Sequence, residues 1–277
     1  MLQNELLSQS LMTNWQEYEK QVHLSRKKSS AHNVHQLRIS TQMLEAVLSL
    51  ASGLSLARHS KNLIVLIKKV RKSLGPLRNF QVEAKSMQKQ QDEKSLGKTK
   101  EFSKFFNKQG AKAKNEAKRY LEKISLKHEK LRVKKLVRKI EKIETIKNGI
   151  QIHSEIRKVI KKSVIKLNSR MENINPDRAK EIHRFRITAK KLRYKGECLN
   201  SLTGEAHFDL ESLKAVQSVT GRIQNDSVLL KTLDRYLAKK ENRNDLEIMK
   251  VRKRIIDHRL KTINNQFNKL NVLKWIN

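Results

Sequence analysis

Ile182-His183-Arg184-Phe185-Arg186-Ile187-Thr188-Ala189-Lys190-Lys191-Leu192-Arg193-Tyr194 is the stretch on which the reading of this chain turns. His183, Arg186, Lys190 and Arg193 stand at positions 0, +3, +7 and +10. On an α-helix these fall within roughly 80° of arc along roughly 15 Å. Phe185, Leu192 and Leu199 take the opposite side and are expected in the core, with Lys191 off the edge of the stripe. A solvated helix face usually intersperses Glu with Lys or Arg four residues away, but no acid interrupts this one from His183 to Arg193. Cationic groups held at this spacing repel one another unless an anion sits among them, which gives the face the character of a phosphate site.

Outward from this stretch, the sequence repeats itself. Val34-His35-Gln36-Leu37-Arg38-Ile39 matches Ile182 to Ile187 in its order of apolar, His, x, apolar, Arg, Ile. Further on, Leu74-Gly75-Pro76-Leu77-Arg78-Asn79-Phe80-Gln81-Val82 lines up with Thr220-Gly221-Arg222-Ile223-Gln224-Asn225-Asp226-Ser227-Val228. The His-to-Gly spacing is 40 in one copy and 38 in the other, and Lys68 and Lys214 each precede their glycine by seven. Shared order and spacing mark an internal duplication of a helical unit. The expected organisation is an N-terminal helical bundle over 1–148 and a C-terminal one over 149–277. A lysine-rich helical stretch from Thr99 to Ile146 would carry its charge around most of its circumference, as a solvated helix or as a polyanion contact face.

The rest of the chain agrees with an all-α fold. Apolar residues recur at helical spacing, as in Ile39, Met43, Val47 and Leu50, or Leu136, Ile140 and Ile143. With 2 Pro and 8 Gly in 277 residues, an all-β fold is excluded. Breaks are expected at Ser29 to Asn33, Ser52 to Ser55, Leu74 to Pro76, Ser95 to Lys98, Lys147 to Gly149, Asn173 to Asp177, Thr203 to Glu205, Thr220 to Gly221 and Glu241 to Asn244. Asn175-Pro176-Asp177 combines a cap, a first-turn proline and an acid, and predicts a helix start there.

The charge bounds the partner. Lys and Arg number 62 against 27 Asp and Glu, a formal +35, and so large an excess calls for a polyanion: nucleic acid, an anionic surface or phosphate in another form. The aromatic content of 5%, with none interleaved among the basic residues of the stripe, supplies few stacking platforms for single strands, which leaves non-specific nucleic-acid binding, to a duplex through backbone contacts, as the alternative function. The single cysteine, Cys198, forms no internal disulfide and reads as a core thiol of a protein in a reducing cytosol. No basic segment precedes the leucines of Met1 to Asn14, and the longest aliphatic run is Leu63 to Ile67, which predicts neither a secretory signal nor a membrane span. There is no Walker-type loop, no His-Glu-x-x-His and no tight acidic cluster for Mg²⁺. Neither enzymatic activity nor a cofactor or metal is expected. His32 and His35 make two ligands without a third, and Asp226 reads as a cap or as a partner for a stripe cation.

Ile182 to Tyr194 resembles the signature His-x-x-Arg-x-x-x-Lys-x-x-Arg-Tyr of the CHAD family, the conserved histidine α-helical domain. Lys214-Ala215-Val216-Gln217, with Gly221 and Asn225-Asp226, is similar to the family's second segment; His35, Arg38, Gly75 and Arg78 match its N-terminal copy. The resemblance runs from about Asn14 to Leu273. It implies two pseudo-symmetric four-helix bundles whose basic faces line a central cavity, and a function in binding inorganic polyphosphate or another linear polyanion, in the cytoplasm and in association with polyphosphate granules. The residues to which it points are His35, Arg38, Lys68, Lys72, Arg78, His183, Arg186, Lys190, Arg193 and Lys214. Each histidine either adds a donor when protonated beside the anion or stays neutral and hydrogen-bonds the bundle.

The first copy departs from the pattern. Gln42 and Glu45 stand where the second copy has Lys190 and Arg193, with Lys68, Lys69, Arg71, Lys72 and Arg78 nearby to compensate. Glu45 either places a negative charge in the path of the anion or neutralises Lys68 or Arg71 across the bundle.

Overall fold

The computed structural model describes residues 6–91, 100–204, 209–268 and 270. Among these the chain forms ten α-helices and no strand: α1 (Leu7–Lys27), α2 (Ala31–Ala51), α3 (Ala57–Ser73), α4 (Gly75–Gln91), α5 (Lys100–Glu122), α6 (Leu126–Ile146), α7 (Gly149–Glu172), α8 (Ala179–Thr203), α9 (Leu210–Leu237) and α10 (Leu246–Thr262). Short polar side chains set several starts. Ser30 accepts from the Asn33 amide at α2, Asn148 from Gln151 at α7, and Asp245 from Ile248 at α10, each satisfying a first-turn donor that the helix leaves without a partner. Among the described residues, no helix is long and apolar enough to cross a membrane.

Most of the expected breaks fall where elements end; three points differ. α9 runs unbroken through Thr220-Gly221, where the Thr220 hydroxyl donates to the Val216 carbonyl within the helix at 2.6 Å. A mid-helix glycine costs only about 1 kcal/mol, which the packing of both flanks outweighs. The lysine-rich stretch is two helices rather than one, parted at residues 123–125, where no glycine or proline announces the turn. Nor is its charge spread around the circumference: α5 buries Phe102, Phe106, Gly110, Ala113, Ala117 and Leu121, and α6 buries Leu126, Val133, Leu136, Val137 and Ile140. Finally, α8 begins at Ala179, not at Asn175. Asn175 instead accepts from the Asp177 amide in a tight turn, and Pro176 lies in that turn. Ser95 to Lys98, Glu205 and the residues after Leu270 lie outside the described residues.

α1, α2 and α3 pack in succession, as do α7, α8, α9 and α10, while α2 lies against α8. One continuous apolar core runs from Leu7 to Phe267, and it includes Cys198 together with Leu192, Leu199 and Leu202. A second, smaller core gathers Phe102 and Phe106 of α5, Leu233 and Tyr236 of α9 and Ile255 of α10. Leu37 of α2 is fully buried beside Arg38 in the sequence and fixes which way that helix faces. Leu37→Ala should cost about 2–5 kcal/mol, the transfer term plus a cavity, read as a lower urea midpoint at unchanged slope; a cost below about 1 kcal/mol would mean that the core collapses onto the gap.

Candidate functional site

A cavity of about 660 Å³ opens between α2, α3 and α8. Its wall holds eight cations, Arg38, Lys68, Arg71, Lys72, Arg186, Lys190, Lys191 and Lys195, together with His183 and the single carboxylate of Glu45. Six of the ten residues singled out from the sequence therefore meet here: Arg38, Lys68, Lys72, His183, Arg186 and Lys190. The other four do not line it. His35 lies beside Arg78, Lys190 and Arg38, where burial first and these cations second push its imidazole down to about 4; it is neutral near pH 7. Arg78 reaches the Ala31 carbonyl at 3.3 Å. Arg193 pairs with Glu197 at 2.6 Å and lies over the Tyr194 ring. Lys214, which the repeat aligns with Lys68, pairs with Glu211 at 2.6 Å on the outer surface.

The orientation of α8 explains which residues enter. Its cavity wall runs from His183 and Arg186 to Lys191, Tyr194 and Lys195, an arc centred roughly 70° around the helix from the expected stripe. Arg193 falls beyond that arc, whereas Lys191, expected off the edge, lines the wall. So does Tyr194, which places an aromatic ring among the cations, with Lys190 Nζ 5.8 Å from its centroid. On α2 the wall is Arg38, Gln42, Glu45, Ala46 and Ser49, the very arc that the stripe predicts. Position 45 thus faces the cavity while its sequence counterpart, 193, does not.

The cations are crowded and only partly compensated. Arg38 donates to the Arg71 carbonyl at 2.7 Å, and burial with Arg71, Arg78 and Arg186 around it lowers its pKa to about 10. Arg186 has a buried Nε without a hydrogen-bond partner among the described residues, and the bare backbone of Gly221 lies against it, so that an added Cβ would sit 3.8 Å from that Nε. Lys190 is the most perturbed: burial, then Arg186, Arg38, Arg193 and Arg71, push its ammonium down to about 7. Burial and Lys191 push Lys195, which donates to Ser163 at 2.9 Å, down to about 8 against the opposing pull of Glu45.

Glu45 is both in the cavity and neutralising. Arg71 donates to its Oε2, and Lys68 and Lys191 lie 3.5 and 3.4 Å from its Oε1. Burial pushes this carboxyl up, yet Arg71, Lys191 and Lys68 together hold it below the ordinary carboxylate range. His183 shares its Nδ1 with Gln224 Oε1 at 2.8 Å. The sequence alignment pairs Gln224 with Arg78, and Gln224 lies beside His183 as Arg78 lies beside His35. Asp226 is neither a cap nor a partner for the stripe: it lies 2.8 Å from His258 Nδ1, between α9 and α10. Sequence spacing offered Arg71 as a compensating cation or as a partner for Glu45 and did not single out Lys195, whose i, i+4 relation to Lys191 on one helix face was the available signal.

A family model for the CHAD domain matches residues 9–234, and the chain belongs to this family. Among solved structures, the crystal structure of the CHAD domain from the plant Ricinus communis is similar over 99% of this chain and 96% of that one, with a TM-score of 0.64 at 15% sequence identity. At that identity the likeness concerns the fold. No curated protein matches the sequence.

Proposed function

We propose that this protein binds inorganic polyphosphate, or a linear polyanion of similar charge density, in the cavity between α2, α3 and α8, and that it acts as a binder and not as an enzyme. The observation that carries this reading is the set of eight cations facing one carboxylate in a single cavity. Polyphosphate presents no bases to read, so charge density and donor geometry suffice: arginine forks for paired oxygens, lysines as point charges. Release of counterions supplies much of the driving force, by extension from nucleic acids. Family membership supports the same ligand and extends the reading to a scaffolding role at polyphosphate granules in the cytoplasm. The test is an isotherm with polyphosphate in which duplex DNA competes at equal charge concentration. The reading expects DNA to displace polyphosphate poorly; equal displacement would make the protein a general basic binder, and phosphate release above a control without protein would make it an enzyme.

Lys190 gives the site a pH dependence of known sign. A bound anion favours the ammonium and raises its pKa from about 7, so binding takes up a proton at any pH between the free and bound values. Affinity should therefore fall as pH rises from 7 to 9, by up to about tenfold per unit, and Lys190→Arg should flatten the profile. A wild-type affinity that is constant across this range would contradict the placement of phosphate at Lys190.

A further inference from the structure

The cations of the cavity form two groups. Arg38, Arg186 and Lys190 cluster at one end: Lys190 is surrounded by guanidiniums and, among the described residues, has neither an ion-pair nor a hydrogen-bond partner. Seven residues along α2, roughly 10 Å away, Glu45 holds Lys68, Arg71 and Lys191. Arg71 joins the groups, its carbonyl accepting from Arg38 and its guanidinium donating to Glu45. Glu45 is itself buried, at 8% exposure, and its oxygens sit on those three cations as phosphate oxygens would.

On the reading that this cavity binds polyanions, we infer that Glu45 is a specificity-determining residue, a built-in carboxylate that occupies one end of the cavity in place of ligand phosphates and biases the site toward short anions. A short anion engages the Arg38, Arg186 and Lys190 end and leaves Glu45 undisturbed. A long chain that continues to the other end must displace Glu45 from three cations and bring a like charge against it. The new contacts then replace existing ones, and the added phosphates gain little.

The test is Glu45→Gln, with pyrophosphate and long-chain polyphosphate as probes and the full chain throughout. The substitution keeps the shape and removes the charge. Long-chain affinity should rise about tenfold, a loss of like-charge repulsion of about 1.4 kcal/mol at a partly dry site, while pyrophosphate affinity changes by less than about threefold. Up to three freed cations should steepen the long-chain salt dependence by about 2 in log-log slope. An equal gain for both probes would reduce Glu45 to a bystander charge and overturn the inference, as would no gain for the long chain. If Glu45→Gln does not fold, single variants at the cations it holds decide the matter. Lys68→Ala and Lys191→Ala should each lower long-chain affinity by less than about threefold, while Arg186→Ala lowers it by more than about tenfold; losses as large as that of Arg186→Ala would overturn the inference. Wild-type protein that binds neither probe would instead remove the polyanion reading itself, a separate outcome.

Discussion

Arg186→Ala combined with Lys190→Ala is expected to weaken polyphosphate binding by about a hundredfold to ten-thousandfold. Each residue supplies a charge-assisted contact worth about 1.5–3 kcal/mol, and every 1.4 kcal/mol is about tenfold. The two are coupled: Arg186 is the leading cationic neighbour that keeps the Lys190 amine hard to protonate. Removing Arg186 alone lets Lys190 charge more fully, which recovers part of the loss, so the double variant should lose more than the sum of the singles. The fold should survive. Both side chains belong to a cluster of like charge, and relief of that repulsion leaves the melting temperature equal or higher. Affinity by calorimetry, with circular dichroism as the control, checks this; a double variant within about threefold of wild type would move the site elsewhere, the outer lysines of α5 and α6 being the next place to look.

Salt should act almost as strongly. Of the eight cations lining the cavity, three are held by Glu45, which leaves five for the anion. At about 0.7 counterions per charge, the value for single strands, log affinity should fall with log salt at a slope near −3.5, roughly a hundredfold between 50 and 200 mM. Removing Arg186 and Lys190 should make that slope shallower by about 1.4. A slope near zero would sink the electrostatic account.

Much of the architecture is legible in the sequence, because the apolar spacing of each helix and caps such as Ser30, Asn148 and Asp245 are local signals. Local signals also mislead where tertiary packing decides. Gly221 reads as a break but lies inside a continuous α9, where even an added Cβ would meet Arg186 only at ordinary van der Waals distance. The turn at residues 123–125 has no glycine or proline; there Arg26 of α1 donates to the Leu121 and Ile124 carbonyls at 2.9 and 2.6 Å, and both α5 and α6 pack on α1 and α3. At the site, the acid-free stripe on α8 contains three residues that line the cavity, His183, Arg186 and Lys190. Which flank of that helix the cavity reaches, toward Lys191 and Lys195 and away from Arg193, depends on where α2 lies against it; burial of Phe185, Leu192 and Leu199 on the far side leaves either flank open. Glu45 was visible as an anomaly; that it both faces the cavity and is neutralised follows only from α3 and α8 converging on it.

Lysine acetylation footprinting read by mass spectrometry tests most directly whether the polyanion occupies this cavity. Lys190 and Lys195, with amines pushed down to about 7 and 8, should label readily in the free protein. Long-chain polyphosphate should slow labelling of Lys190 severalfold, with Lys72 protected alongside it, while Lys108 and Lys112 on the outer face of α5 keep their rates. Protection of the α5 lysines with Lys190 still reactive would contradict the account.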